Sequence, residues 1–432
     1  MTVTVFIVSL LAAMAIGMPI AYALLVCGLT LMGYLSLTSG LVTFDSQILA
    51  QRFVDGADNF PLLAVPFFLL AGEFMNAGGL SRRIVNLAMA WVGHFRGGLG
   101  YVTVIAAVIM ASLSGSAVAD TAALAALLIP MMRAAGYNIG RASGLIASGG
   151  IIAPVIPPSI GMIIFGVAGN VSITKLFLAG IVPGMLMGLA IGLTWWWVAK
   201  RENVPPGPRV SMPERLKVTA EGGFALALPV LIIGGMKFGV FTPTEAAVVA
   251  AVYSFVVGMF IYRELKFKAL YSLILAAGKT TAVVMFLVAA AMVSAWLITV
   301  ANIPTEVANL LSPFMDNKML LMFVMMVLIV IVGTALDFTP TVLILTPVLM
   351  PVVLKAGIDP VYFGVMFIMN NAIGLITPPV GTVLNVVCGV AKISMDEAFK
   401  GVLPFLLAQL AVLFLLVLFP SIVLVPLHWL MK

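Results

Sequence analysis

Charge is what this sequence has least of: Asp, Glu, Lys and Arg make up 9% of 432 residues, against 63% hydrophobic residues and a mean hydropathy of +1.22. Soluble domains carry roughly a quarter charged residues, so a water-facing fold is excluded and the chain reads as a polytopic membrane protein. Apolar stretches of spanning length recur from Val3 to Val425, and no soluble domain or signal peptide separates from them. Histidine is nearly missing too. His94 and His428 sit beside Arg96 and Trp429, where helix ends meet water, and no histidine metal cluster or Ser/His/Asp arrangement can be assembled. Cys27 and Cys388 lie in apolar runs without a CxxC spacing, which leaves disulfide, metal and thiol chemistry poorly supported. The same scarcity argues against an intramembrane enzyme. The net charge of +6 collects in short loops, the pattern of cytoplasmic connections and not of a nucleic-acid surface.

Those loops orient the chain. Lys200 to Lys217 and Arg263 to Lys268 are basic and are expected in the cytoplasm, with helices at about 218–236 and 241–262 between them, turning outside at "KFGVFTPT". Trp195, Trp196 and Trp197 form an interfacial belt before the first loop. A helix at about 178–199 leads into that loop. Before it, "APVIPPS", Ala153 to Ser159, breaks the segment Gly140 to Asn170, because proline removes a donor and clashes with the preceding turn. Gly98 to Met132 is interrupted by "SLSGSAVAD", leaving arms of about 15 residues, too short for roughly 30 Å at 1.5 Å per residue. Both its ends are basic (Arg96; Arg133 and Arg141), so the segment reads as a re-entrant hairpin entered from inside.

A shift of 221 positions repeats the pattern. It pairs Pro130 with Pro351, Pro157 with Pro378, Pro158 with Pro379 and Pro183 with Pro404, as well as Gly136 with Gly357 and Gly180 with Gly401. With 25 prolines in the chain, this coincidence points to an internal repeat. "GTALDFTPT" then falls opposite the first tip, and "NNAIGLITPPVG" opposite the first break. Lys268 to Lys279 reads as a surface arm and 281–299 as a span leading outside, so the second hairpin, 318–354, enters from there and the repeats are inverted. Symmetry then asks for two short helices in Val3 to Leu37, divided at "GMP", with both termini outside; one long tilted helix is the other reading.

The expected fold is thus all-α, with inverted repeats that each contain a re-entrant hairpin and a discontinuous helix. The chain divides into 1–95 (scaffold helices and arm), 96–199 (hairpin, broken helix and span), 200–217 (linker), 218–317 (scaffold helices and arms) and 318–432 (second hairpin, broken helix and last helix). Irregular backbone at membrane depth is tolerated only where protein or a water-filled site surrounds it. Unwound carbonyls and hydroxyls suit Na⁺, and half-helix N-termini suit an anion. One sodium site is expected from Ser112, Ser114, Ser116 and Asp120 with Gly149, Val155 and Ser159, and a second from Gly333, Thr334, Asp337, Thr339 and Thr341 with Asn371, Thr377 and Thr382. Substrate is expected at Ser116, Pro157, Pro158, Thr339, Pro378 and Pro379. Any single hydroxyl here has a blander role, bonded to its own helix.

Three further groups carry two readings each. Asp120 either caps the returning arm or binds an ion. Glu73, in "LLAGEFMNAGG", is an intramembrane acid read first as an interhelical hydrogen bond and second as a proton carrier. Asp45 to Phe60 is a polar amphipathic stretch at the outer surface, either a solvated connection or a docking surface.

The stretches "GMPIAYAL", "FFLLAGEFMNAGGLSRRIV", "SGSAVADTAALAALLIPMM", "GGIIAPVIPPSI", "FTPTEAAVVAAVYS" and "LITPPVGTVLNVV", in this order, resemble the large membrane subunit of a tripartite ATP-independent periplasmic (TRAP) transporter. The resemblance covers nearly the whole chain. It implies a sodium-coupled, elevator-type importer of organic acids such as sialic acid or C4-dicarboxylates, in a bacterial inner membrane, with Na⁺ as the coupling ion and no cofactor. It also implies two partners, a small four-helix membrane subunit on a separate chain and a periplasmic substrate-binding protein. The alternative is a self-sufficient Na⁺- or H⁺-coupled symporter of the same superfamily; a channel fits poorly with two tips approaching from opposite faces.

Overall fold

A computed structural model describes residues 2–38 and 45–431, and these are helices and their connections. The N-terminal stretch divides where "GMP" predicts: α1 (Thr2–Ala15) and α2 (Ile20–Thr38) are separated by a turn in which Gly17 takes a φ of 82°. Next comes α3 (Ser46–Ala57), capped by Asp45, whose carboxylate accepts from the Gln47 N–H at 2.7 Å. A 3₁₀ turn at Phe60–Leu63 leads into α4 (Ala64–Ala77). The short helix α5 (Leu80–Val92) buries Leu80, Ile84, Val85, Leu87 and Ala88 while Arg82 and Asn86 stay exposed. That spacing is the single apolar stripe of a helix lying on a surface.

Hairpin one follows as α6 (Gly98–Ser114) and α7 (Ala117–Ala134), then α8 (Ile139–Gly150), an unwound stretch, α9 (Ile160–Ala168) and the long α10 (Ile173–Arg201). The second half begins with α11 (Met212–Lys237) and α12 (Pro243–Val256), the latter continued by a π-helical turn at Val257–Ile261. Then come α13 (Leu270–Val300), α14 (Ile303–Leu310), hairpin two as α15 (Lys318–Ala335) and α16 (Phe338–Lys355), α17 (Pro360–Gly374), α18 (Thr382–Ala391), α19 (Met395–Leu418) and α20 (Ser421–Leu430). Among the described residues 10 helices are long and apolar enough to cross a membrane.

Two expectations need correction. Lys268 to Lys279 is not a separate surface arm but the first turns of the continuous 31-residue α13. No proline interrupts that stretch, whereas "DNFP" divides α3 from α4. The hairpin arms are also longer than expected, 17 residues in α6 and 18 in α7, α15 and α16. The turn defines each hairpin, not the brevity of its arms. Both open ends are tied: the Leu99 N–H donates to the Tyr137 hydroxyl at 3.3 Å, and Lys318 Nζ donates to the Gly357 carbonyl at 2.8 Å.

Two sets of helices pack closely, and they also pack on each other, α5 on α6 and α13 on α16. In one, α4 runs along α12, α2 and α3 along α13, and α5 along α11. In the other, α8 crosses α19, α10 packs on α19, and α17 on both α15 and α10. Buried polar bonds fix the second group: Gln409 Nε2 donates to the Met187 carbonyl at 3.1 Å, and the Tyr362 hydroxyl to the Leu416 carbonyl at 2.9 Å.

Outside the apolar belt, Glu264 joins the turn after α12 to the start of α5, accepting from Arg83 at 2.8 Å and Arg82 at 2.9 Å. The Arg83 guanidinium also lies over the Tyr262 ring at 3.7 Å. Burial alone would raise the Glu264 carboxyl, but the hydrogen bonds and charges of Arg83 and Arg82 hold it below its ordinary value of 4.5. A lowered native pKa adds stability that is present above that ordinary value and is lost as pH falls through the lower one. Glu264→Gln should therefore be less stable than wild type at neutral pH, with the difference closing under acid. Thermal unfolding in detergent across that range checks this, and a gap that persists below the carboxylate range contradicts it.

Candidate ion and substrate site

The first hairpin turns on two residues. Gly115 adopts a φ of 62°, which a side chain resists, and Ser116 caps α7 by accepting from the Ala119 N–H at 3.4 Å. Ser116, not Asp120, is thus the cap, so the capping role considered for Asp120 falls away. Asp120 lies one turn further on, 2% exposed, with its Oδ1 accepting a hydrogen bond from the Ser114 hydroxyl. Its Oδ2 is buried and has no hydrogen-bond partner. An unsatisfied buried oxygen of this kind costs about 1–3 kcal/mol or more. Ser114 also accepts from the Ser116 N–H at 3.1 Å, which locks the tip.

The first break runs from Ile151 to Ser159. Ser159 caps α9, accepting from the Met162 N–H at 3.2 Å and donating to the Pro154 carbonyl at 2.5 Å. Pro157 and Pro158 are joined by a cis bond, and the Pro158 carbonyl faces Gly115, where an added Cβ would also lie 3.1 Å from the Ser159 Cα. Tip and break are in direct contact. Not every expected ligand points there. Ser112 donates to the Ile109 carbonyl of its own helix at 2.6 Å, the Val155 carbonyl lies against Gly180 of α10, and the Gly149 carbonyl accepts from the Ile152 N–H at 3.1 Å.

The second tip exchanges the two groups. Positions 116 and 120 hold serine and aspartate; the positions 221 later hold Asp337 and Thr341. Asp337 stands at the N-cap of α16 without bonding its N–H groups; it accepts instead from the Thr382 hydroxyl at 3.2 Å, and its carbonyl accepts from the Thr341 hydroxyl at 2.9 Å. Asn371 donates to the Phe338 carbonyl at 2.7 Å, and its Oδ1, near Gly333, is buried without a partner. The Thr334 carbonyl accepts from the Val380 N–H at 3.3 Å, tying this tip to its break. The Thr334 and Thr377 hydroxyls serve their own helices, at Ile331 and Ile373, and Thr339 is half-buried with no side-chain hydrogen bond. Pro378 and Pro379 share a cis bond, and Pro379 is exposed.

Several contributors were not among the expected residues. The Phe338 ring of the second tip lies against Gly161 and Ile368, so the start of α9 has the first tip on one side and the second on the other. Thr121, whose unpartnered hydroxyl faces Gly150, and Asn370, whose Oδ1 is also unpartnered, add buried acceptors. All three lie in stretches that stand out in the sequence, "GTALDFTPT", "SGSAVADTAALAALLIPMM" and "NNAIGLITPPVG", without being singled out as ligands. Glu73 forms no interhelical hydrogen bond, contrary to its first reading; its neighbour Gly72 approaches Ser114, where a Cβ would be 3.6 Å from the serine Cβ.

Chemically, the arrangement offers hard oxygen acceptors. Among the described residues no three of His, Cys, Asp and Glu come together, so hydroxyl, amide and carbonyl oxygens with one carboxylate per tip make up the donor set. The C-terminal ends of α6 and α8 add negative dipole ends. Asp120 Oδ2 and Asn371 Oδ1, each buried and unpartnered, fit a small monovalent cation. α18 follows Gly381 with no side-chain cap; its Val383 N–H donates to the Leu375 carbonyl at 3.1 Å, and Pro379 and Asn385 nearby are exposed.

The chain matches the model of the tripartite ATP-independent periplasmic transporter DctM component over residues 7–422. It is 59% identical over 429 residues to the 2,3-diketo-L-gulonate TRAP transporter large permease protein YiaN of Escherichia coli (strain K12), covering 99% of this chain and 100% of that one. It is 38% identical to the sialic acid TRAP transporter large permease protein SiaM of Vibrio cholerae, covering 94% and 93%. The solved Alcanivorax borkumensis YdaH transporter shares the fold with a TM-score of 0.68, at 16% identity, over 92% of this chain and 98% of that one.

The Phe338 contact generates a test. Gly161→Ala should displace that ring, and overpacking of this kind costs about 1–3 kcal/mol. Phe338→Leu should relieve it, so the double variant should unfold at a higher temperature than the two single losses added together predict. Strict additivity would mean that the second tip does not rest on the first break.

Proposed function

Since the chain belongs to the DctM component family of tripartite ATP-independent periplasmic transporters, a multi-pass transport subunit of a bacterial inner membrane and not an enzyme, we propose that it couples Na⁺ entry to import of a sugar-acid anion. The observation that carries this reading is the meeting of both hairpin tips on the start of α9, with unpartnered buried oxygens on Asp120 and Asn371. Sodium at these oxygens removes their desolvation cost and tightens the tips. The substrate carboxylate then takes the N-terminus of α18, which has no side-chain cap, with Thr339, Pro378 and Pro379, and the helix dipole there favours an anion. The relative named for 2,3-diketo-L-gulonate is 59% identical, whereas those named for sialic acid and C4-dicarboxylates are 38% and 37% identical, which favours a sugar acid.

The helices bounded by 96–199 and 318–432 move as one body against a scaffold of 1–95 and 218–317, with 200–217 as linker. Inverted repeats give the two halves of the moving body equivalent routes to either face. Helix limits support the repeat: α7 begins at Ala117 and α16 at Phe338, 221 residues later, and α8 begins at Ile139 and α17 at Pro360, the same distance on. With two Na⁺ and a monoanion, one net positive charge moves inward, worth about 2.3 kcal/mol per 100 mV.

The two partners complete the cycle. The exposed Arg52, Asp55 and Asp58 around α3, with Glu306 and Asp316 near α14, form the rim that receives a loaded periplasmic binding protein. A small membrane subunit of four helices braces the scaffold. In liposomes holding the two membrane subunits, uptake of labelled 2,3-diketo-L-gulonate should need both external Na⁺, with a Hill slope above one, and the binding protein. Charge reversal at Asp55 or Glu306 should weaken stimulation by the binding protein severalfold without affecting folding. Saturable uptake by this chain alone would favour the lone-symporter reading.

A further inference from the structure

On the outside of hairpin one, α6 and α10 diverge to leave a groove of about 600 Å³. Its floor is open at Gly192, where an added Cβ would meet only Val104, at 3.9 Å, while Gly188 lets Val108 approach closely, within 2.6 Å of where its Cβ would be. Val108 and Leu189 continue the apolar walls. At Tyr101 and Trp196 the groove joins a second cavity of about 590 Å³, which reaches Phe95, Arg96 and Lys200. This end lies at the basic 200–217 linker and so meets the cytoplasmic leaflet.

Among the described residues the two cations there have no acidic partner. Arg96 donates to the Val204 carbonyl at 3.2 Å and to Asn203 Oδ1 at 2.7 Å, both neutral, and Lys200 Nζ lies 5.6 Å from the Trp196 ring centre. Glu202, the nearest carboxylate in sequence, is taken by Arg141 at 3.1 Å. A groove that is apolar along its length and cationic at its cytoplasmic end has the polarity of one molecule type. Its volume is far below that of a transmembrane helix about 10 Å across and about 30 Å long, so a partner helix does not fit inside it.

We propose that this groove is a binding site for an anionic phospholipid of the inner leaflet, with its phosphate between Arg96 and Lys200 and one acyl chain lying along Gly188 and Gly192. The headgroup rests where the linker crosses the start of α6, so the lipid pins the linker to the hairpin. The site is independent of the ion and substrate site described above.

The test uses the full chain in phosphatidylcholine liposomes doped with brominated phosphatidylglycerol or brominated phosphatidylcholine, and reads the tryptophan fluorescence that Trp196→Phe removes. Brominated phosphatidylglycerol should quench this fraction at severalfold lower mole fraction than brominated phosphatidylcholine. Lys200→Gln should shift the phosphatidylglycerol curve about fivefold. Gly192→Leu should abolish the preference by filling the floor, while Gly223→Leu, which meets nothing within 4 Å, should leave it intact. Arg96 also holds the linker, so Lys200→Gln and Gly192→Leu carry the test if Arg96→Gln fails to fold. Equal quenching by the two lipids, or a preference untouched by both variants, overturns the proposal. Protection of Trp196 from both lipids on adding the small membrane subunit also overturns it, since a helix would then cover the groove.

Discussion

A peptide group that leaves a helix inside hydrocarbon must find its partner in protein, and the centre of this molecule is arranged around that requirement. Four interruptions, at Gly115–Ser116, Ile151–Ser159, Leu336–Asp337 and Leu375–Gly381, are each covered by another. Gly115 lies on the Pro158 carbonyl, the Thr334 carbonyl takes the Val380 N–H, and Phe338 covers Gly161. Among the buried side-chain atoms without a partner, Asp120 Oδ2 and Asn371 Oδ1 are the two that lie at the tips on residues already expected as ligands.

The two tips solve one electrostatic problem in two ways. Each has one carboxylate and one hydroxyl, four residues apart at the start of the returning arm, but in opposite order: Ser116 and Asp120 in the first, Asp337 and Thr341 in the second. In the first tip the hydroxyl caps and the carboxylate is buried a turn inside. In the second the carboxylate stands at the cap position yet turns to Thr382 of the break. Each order puts one negative group near the positive end of a half-helix, where it is least costly. The surroundings differ more: Asp120 is 2% exposed, whereas Asp337 and Thr382 are half-buried and adjoin exposed Pro379. On the reading proposed above both tips hold sodium, and the more open second one also faces the substrate.

Punctuation made much of the fold legible. Prolines in "APVIPPS" and "ITPPVG" mark both breaks because they forbid the helix locally, and "GMP" marks the turn between α1 and α2 for the same reason. Basic residues mark the loops. What the sequence could not convey was whatever depends on a distant neighbour. The 31-residue continuity of α13 was hidden because Lys268 and Lys279 resemble loop charges while no breaker separates them from the span. The site divides the same way. Ser114 and Asp120 stand out as polar residues in apolar runs and do meet, but a hydroxyl's choice between its own segment, as at Ser112, Ser159 and Thr377, and a neighbouring one, as at Thr382, is set by packing. Phe338 on Gly161 left no trace in pattern, since an aromatic in an apolar chain is unremarked.

The account stands or falls on whether the unpartnered oxygens hold sodium. Titrating Na⁺ calorimetrically into the purified chain, against K⁺ as the control, tests this directly with the near-isosteric variants Asp120→Asn and Asn371→Leu, which remove those two oxygens. The account predicts two Na⁺ equilibria in the wild type, with each variant losing a different one and keeping the other. Wild-type Na⁺ binding in both variants would contradict it.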